Sequence, residues 1–333
     1  MSESMSDELL PYVSIVIPVF NEERYLLSCL TSLMLLSYPK DRHEILLIDN
    51  GSTDRTLEIA RRFSEVSIHV KEDVKVGAVR NYGVQKAKGS VVVFLDSDCV
   101  VCQDWLTDGV GKLTANPDSV IGGQYLLRDN PSWLEKYWIL TSRGRTITEI
   151  SLVGGCIFTP KEIFQNIGGF DEYLNAGEDS DLAVRLKKEH INVEIDPSLS
   201  VVHLGNPSNV MPFIGRQLWH SSDYINGLPH SLRDKTFLLT LAFMAGMTGL
   251  LGSLIFLPAA KSTLIISAFL VFACPGVLSV KRIRRSGVND KRLFDYVSIY
   301  LVDWLYLIGR TLGVLSGIKN RLSFRSNAKV RRR

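Results

Sequence analysis

Two long runs without a charge constrain this chain more than any other feature. Residues 236–257 read TFLLTLAFMAGMTGLLGSLIFL, 22 uncharged positions, and residues 262–280 read STLIISAFLVFACPGVLSV, another 19. As helices rising 1.5 Å per residue, both cover the roughly 30 Å hydrocarbon layer of a bilayer. Neither run has a polar face, so the interior of a large soluble domain explains them poorly. Only Pro258, Ala259, Ala260 and Lys261 separate them, which predicts a helical hairpin with both ends on one side. Lys281, Arg282, Arg284 and Arg285 follow at once. Basic residues favour the cytoplasmic side, so the chain before the hairpin is expected at the cytoplasmic face of the cell membrane. The opening MSESMSDELLPY has no export signal pattern.

A third apolar stretch, Leu293 to Ile318, carries Asp295, Asp303 and Arg310. With Arg292 these fall within about 80° of a helical wheel, a narrow polar stripe that predicts a helix lying in the interface. A crossing helix would also export Lys319, Arg321, Arg325, Lys329 and Arg331 to Arg333, against the same charge rule. Two spans and an interfacial helix are therefore expected, with a third span the alternative. The net charge of +3 hides a division, because residues 236–333 hold 15 Lys and Arg against 3 Asp and Glu. An acidic front segment precedes a basic tail suited to anionic lipid, and nucleic acid is not expected as a partner. Five scattered cysteines fit a reducing compartment, and the pair Cys99 and Cys102 lacks the second pair of ligands that a structural zinc would need.

Upstream, β-branched runs at Val13–Val19, Ile45–Asp49, Val66–Val70 and Val91–Asp96 alternate with helical patterns such as Glu22–Leu36 and Arg55–Phe63. This is the rhythm of an α/β fold with an open, mainly parallel sheet, whose ligands sit beyond the carboxyl ends of the strands. The unusual residues lie there. Strand one opens into Pro18, Val19, Phe20, Asn21 and Glu22, and strand two into Asp49 to Asp54. Asn21, Ser52 and Thr53 are also ordinary helix caps, and acids in a first helical turn favour the dipole. Strand four ends in Asp96, Ser97, Asp98. Two carboxylates so placed repel unless a hard divalent cation or donors compensate them. Lys75 and Arg80 can reach a phosphate. Farther on, Glu178 and Asp179 open a helix, and a carboxylate there can serve as a general base or merely as a cap. His203 becomes a metal ligand only if its strand returns beside Asp98.

The ordered set SIVIPVFNE, LLIDNGSTDRT, GAVRNYG, FLDSD, the Gly154–Gly155 pair, GGFDE and GEDSDLAVRL resembles the family-2 inverting glycosyltransferases, over about residues 12–205. The resemblance implies a GT-A fold. It implies that Pro18, Phe20, Glu22 and Asp49 line a nucleoside pocket and that Lys75 and Arg80 help hold the donor. By the same likeness Asp96 touches ribose or sugar, Asp98 and His203 bind Mg²⁺ or Mn²⁺, and Asp179, with Glu178 beside it, is the base. The processive polysaccharide synthases of the group carry QxxRW near the membrane, whereas GRQLWHSSDY (Gly215 to Tyr224) has the wrong spacing. Transfer of one sugar or a few is therefore expected.

The organisation predicted is a tail over 1–11, a GT-A domain over 12–235 divided near residue 100 into nucleotide-sugar and acceptor halves, two spans over 236–280 and a basic segment over 281–333. The function predicted is metal-dependent transfer from a nucleoside-diphosphate sugar, with UDP the expected carrier, to a lipid-linked or surface-glycan acceptor. The alternatives are a nucleotidyltransferase making an activated sugar, which would want a Gly-rich basic N-terminal loop, and a non-catalytic membrane scaffold with a degenerate transferase domain.

Overall fold

The computed structural model describes residues 10–140, 152–225, 228–255, 261–286 and 292–330. Most of the expected N-terminal tail, the hairpin turn at 258–260 and Arg331 to Arg333 lie outside the described residues. The chain divides into two compact units. One comprises the described residues of Met1–Arg128 and Thr146–Gly205, the other those of Asp129–Arg145 and Asn206–Arg333.

The first unit has ten strands: β1 (Val13–Val19), β2 (His43–Asp49), β3 (Val66–Val70), β4 (Val91–Leu95), β5 (Cys99–Val100), β6 (Ser119–Gly122), β7 (Tyr125–Leu126), β8 (Cys156–Pro160), β9 (Asn192–Ile195) and β10 (Val201–His203). Its helices are α1 (Leu26–Met34), α2 (Thr56–Ala60), α3 (Val76–Lys86) and α4 (Trp105–Ala115) and, after a segment of the second unit that holds α5 (Trp133–Trp138), α6 (Lys161–Asn166) and α7 (Glu178–Lys188). Seven strands form one sheet in the order β3-β2-β1-β4-β8-β6-β9. β1 and β4 are buried at every position, as parallel strands covered on both faces require. One core, with Ile15, Leu47, Val93 and Trp105, fills one side of the sheet, and another, with Val16, Ile48, Phe94 and Phe170, fills the other.

Two reversals of direction build the site. β8 runs antiparallel to β4 with Leu95 opposite Cys156, so Gly154 and Gly155 enter where Asp96 leaves. β10 pairs antiparallel with β5, His203 opposite Cys99, and parallel with β7. The strand of His203 thus does return beside Asp98.

The second unit is helical: α5, α8 (Val210–Ser221), α9 (Leu228–Ser231), α10 (Lys235–Ile255), α11 (Lys261–Ser286) and α12 (Leu293–Val330). By length and composition three of these, α10, α11 and α12, suffice to cross a membrane. Residues 206–235, expected with the GT-A domain, belong to this unit because α8 packs along α12. The polar stripe of α12 is turned into packed protein: Asp295 accepts from the Tyr137 hydroxyl at 2.6 Å, Asp303 pairs with Arg282 and Ser279, and Arg310 donates to Tyr224. The stripe alone therefore does not mark a surface that faces headgroups.

Candidate active site

The turns after β1 and β2 are tied to each other. The Asn21 amide donates to Ser52 Oγ (2.9 Å) while Asn21 Oδ1 accepts from the Thr53 amide (2.8 Å). The Glu22 amide donates to Thr56 Oγ1 (2.7 Å) and the Glu23 amide to Asp54 Oδ2 (3.1 Å). Asn21, Ser52 and Thr53 therefore cap neither α1 nor α2, whose N-cap positions are Tyr25 and Arg55, while Asp54 Oδ1 accepts from the Thr56 amide at the start of α2 (3.0 Å). Asn21 sits in the left-handed region at φ 53°, which Asn tolerates better than most residues. The lacing holds the chain out of helix until Leu26, four residues beyond the expected start at Glu22. Buried Asp49 accepts from the Gly51 and Ser52 amides (3.0 and 3.1 Å), Pro18 is buried opposite Ile48, and Phe20 is 54% exposed at the end of β1. Burial, then Asp98, Asp96 and Asp54, push Glu22 up to about 7, so its carboxyl belongs to the same acidic field as the strand-four pair. Lys75 is exposed at the start of α3.

At the end of β4, Asp96, Asp98, Cys99 and His203 bring one ligand atom each within 4.8 Å of one another. His203 Nε2 lies 3.3 Å from Asp98 Oδ2, and the imidazole packs on the Tyr125 ring at 4.5 Å between centroids. Burial and then the neighbouring carboxylates push the Cys99 thiol far up, so it stays protonated. What remains is two carboxylates and an imidazole, a donor set that fits Mg²⁺ or Mn²⁺.

Arg80, expected beside the donor phosphates, is 3% exposed and is engaged inside the protein. Nη2 donates to Asp96 Oδ1 (2.7 Å), Nη1 donates to Glu178 Oε1 (2.5 Å), and the guanidinium lies over Phe170. It clasps the end of β4 to the start of α7. Tyr125, which the sequence did not single out, donates its hydroxyl to Asp96 Oδ2 (2.6 Å) and accepts from the Gly155 amide (3.0 Å). Burial would raise Asp96, but Arg80, then the Tyr125 hydrogen bond and His203, outweigh it and hold the carboxyl below its ordinary value. The glycine pair is sterically required, since a Cβ on Gly154 would fall 2.6 Å from Arg80 Nη2 and one on Gly155 2.5 Å from Asp96 Oδ2.

Glu178 is buried in its pair with Arg80 and is not placed as a base. Its neighbour Asp179 accepts only from the Gly154 amide (3.0 Å) and the Ser180 amide (2.6 Å) among the described residues. Burial first, then the Glu178 charge, raise its pKa above the ordinary aspartate value. The site thus has a desolvated carboxylate, a clasped carboxylate pair and a cluster fit for a cation, all on one edge of the sheet.

Residues 14–168 match the family described as glycosyl transferase family 2, on a GT-A-like fold. It is 32% identical to glycosyltransferase AglE of Haloferax volcanii over 180 residues, 51% of this chain and 59% of that protein. A shorter match, 32% over 105 residues, covers 30% of this chain and 33% of a Methanococcus voltae protein described as a dolichyl N-acetyl-alpha-D-glucosaminyl phosphate 3-beta-D-2,3-diacetamido-2,3-dideoxy-beta-D-glucuronosyltransferase. The matches thus span little more than half of the first relative's length and a third of the second's. The mannosyltransferase PcManGT of Pyrobaculum calidifontis, solved with GDP-Man and Mn²⁺, shares the fold at TM-score 0.59 and 18% identity, over 93% of this chain and 88% of that one.

Proposed function

We propose that the protein is a membrane-anchored, inverting glycosyltransferase that moves a single sugar from a nucleoside-diphosphate sugar, with UDP the expected carrier, to a hydroxyl of a lipid-linked or surface-glycan precursor. The observation that carries this is the meeting of Asp98 with His203 beside Asp96, on the same sheet edge as the desolvated Asp179. The relatives' names point the same way, toward glycosyl transfer and, in one, toward a lipid phosphate carrier.

Asp98 and His203 would hold Mg²⁺ or Mn²⁺, and the bound ion supplies positive charge that neutralises the departing diphosphate. The chain's own groups do the rest. Arg80 and Tyr125 fix both oxygens of Asp96 in one orientation for the donor's ribose or sugar. Phe20 offers an exposed aromatic face at the end of β1, and Asp49 and Glu22 line the base-side turns. Asp179, oriented by the Gly154 and Ser180 amides, takes the proton of the attacking acceptor hydroxyl.

The protein would sit with its catalytic unit at the cytoplasmic face, anchored by the α10–α11 hairpin. α12 packs on α5 through Asp295 and Ser298 and on α8 and the turn after it through Gly309, Gly313, Gly317 and Arg321. It meets the hairpin over a short stretch in its N-terminal third, through Tyr300, Asp303 and Trp304. A third span would be flanked by the hairpin along its length, so two spans with α12 lying across them is the arrangement proposed.

Donor hydrolysis and transfer across UDP-, GDP- and TDP-sugars, with and without Mn²⁺, test the reading. Metal-dependent release of nucleoside diphosphate, abolished in Asp98→Ala, is expected. Wild-type transfer by Asp98→Ala and Asp179→Asn, or release of pyrophosphate, would overturn it.

A further inference from the structure

Three glycines four residues apart on α12 let α8 and the turn after it approach closely. A Cβ on Gly309 would lie 2.7 Å from Gln217 Cβ, and those on Gly313 and Gly317 would run into Ser221 and Ser222. This seam fixes which sides of the two helices meet. Arg216 and His220, one turn apart on α8, border it, as does Arg310 on α12, next to Gly309. Arg310 donates Nη1 to the Tyr224 hydroxyl at 2.8 Å, and its guanidinium lies 5.5 Å and 4.9 Å from the Tyr224 and Tyr306 ring centroids. The Tyr224 hydroxyl in turn donates to Asp234 at 2.9 Å.

Among the described residues Asp234 reaches this basic cluster only through the Tyr224 hydroxyl and not by direct contact with a guanidinium. Arg310 Nε is buried without a hydrogen-bond partner, and among the described residues neither Arg310 nor Arg216 forms an ion pair with a carboxylate. His220 is pushed down to about 4 by burial and then by Arg310 and Arg216, so both guanidinium groups act on one imidazole. The position is informative too, because Asp234 directly precedes α10, where the first apolar run begins. Trp219, Leu312 and Leu315 nearby in sequence are 49%, 42% and 48% exposed, which leaves apolar surface for acyl chains beside the charge.

We propose that Arg216 and Arg310, with Arg310 braced by Tyr224 and Tyr306, form a binding site for the phosphate group of a membrane lipid at the level where α10 enters the bilayer. The planar forks of two arginines match phosphate oxygens, and basic pockets between membrane helices on the cytoplasmic side take lipid phosphates. The proposal rests on the membrane placement of the hairpin but not on the transfer reaction. It is distinct from attraction of lipid by the C-terminal basic tail, which would need no folded site.

Native mass spectrometry of the full chain in dodecyl maltoside tests it, with dioleoyl phosphatidic acid, dioleoyl phosphatidylcholine and inorganic phosphate as probes. Phosphatidic acid is expected to bind more tightly than either other probe, and Arg216→Gln and Arg310→Gln are each expected to weaken it about tenfold or more. Arg216→Gln leaves the glycine seam untouched, so it reads the site even if Arg310→Gln disturbs α12. Wild-type affinity in Arg216→Gln would overturn the proposal. So would inorganic phosphate binding as tightly as the lipid, or loss of binding confined to a chain with Lys329, Arg331, Arg332 and Arg333 changed to Gln. Because binding is read without turnover, a failure here leaves the Asp98 and Asp179 assignments standing, and theirs leaves this one.

Discussion

Glu178 and Asp179 are neighbours with opposite surroundings, and that difference sets the pH behaviour expected of the site. Arg80 neutralises Glu178, whereas Asp179 has only backbone donors among the described residues, is desolvated and feels the Glu178 charge. As the proposed base, Asp179 must be ionised to accept a proton, so kcat/KM is expected to fall as the pH drops through this raised value. The acid limb is expected above the ordinary aspartate pKa of about 3.9. Glu178→Gln removes the like charge and leaves Arg80 closer to unpaired, and both effects lower the Asp179 pKa. A pH–rate profile should therefore show the acid limb of that variant shifted to lower pH. The same shift has a stability sign: the contribution of protonated Asp179 is present below the unfolded pKa and is lost as pH rises through the raised folded value. Asp179→Asn should lower kcat by about 10²–10⁴ while donor affinity, read by calorimetry, stays near wild type. Tyr125→Phe tests the residue that the sequence did not reveal. It leaves Asp96 Oδ2 and the Gly155 amide without their partner and should cost about 1–3 kcal/mol in denaturant unfolding. Tyr125 was hidden because its strand has two residues and gains its meaning only from pairing with β10. Arg80 was visible but ambiguous, since an arginine on a helix reads the same whether it meets a phosphate or two buried acids.

At the scale of elements, hydrophobic runs located the parallel strands to within about two residues, because a strand buried on both faces must be apolar throughout. The start of α1 was displaced for a reason no local pattern carries: the lacing of Asn21 to Ser52 and Thr53 joins turns 31 and 32 residues apart. The Gly309, Gly313, Gly317 spacing was on the sequence, yet its partner helix was not. Its weight can be measured against a control glycine. Gly313→Val would drive a branched side chain into Ser221 and the Leu218 carbonyl, whereas a Cβ on Gly215 meets nothing within 4 Å. Gly313→Val is expected to destabilise the full chain in detergent by about the 1–3 kcal/mol typical of overpacking, read as a lower thermal midpoint. Gly215→Ala should be neutral or raise stability by up to about 1 kcal/mol, as helix propensity favours Ala. Equal effects of the two would mean that the seam is not closely packed.

The whole molecule combines an acidic catalytic unit with a helical unit whose 98 final residues carry 15 basic and 3 acidic side chains. About 1 kcal/mol per basic residue near anionic lipid would pull that end toward an anionic leaflet, and the pull is screened within a Debye length. The arrangement of α12 decides where those charges go. If α12 lies across the hairpin, the segment after α11 and the C-terminal end are on one side; if it crosses, they are on opposite sides. Cys102, exposed on the catalytic unit, gives an internal reference for the side on which that unit lies, proposed above to be cytoplasmic. In a background retaining no other cysteine, Ser286→Cys and Arg333→Cys can each be compared with Cys102 by a membrane-impermeant maleimide. In inside-out vesicles all three sites are expected to label without permeabilisation, and in right-side-out vesicles none. Protection of Arg333→Cys in inside-out vesicles while Cys102 and Ser286→Cys react would instead establish a third span. The charges of the tail would then lie across the membrane from the catalytic unit, where they could not hold it to the cytoplasmic surface.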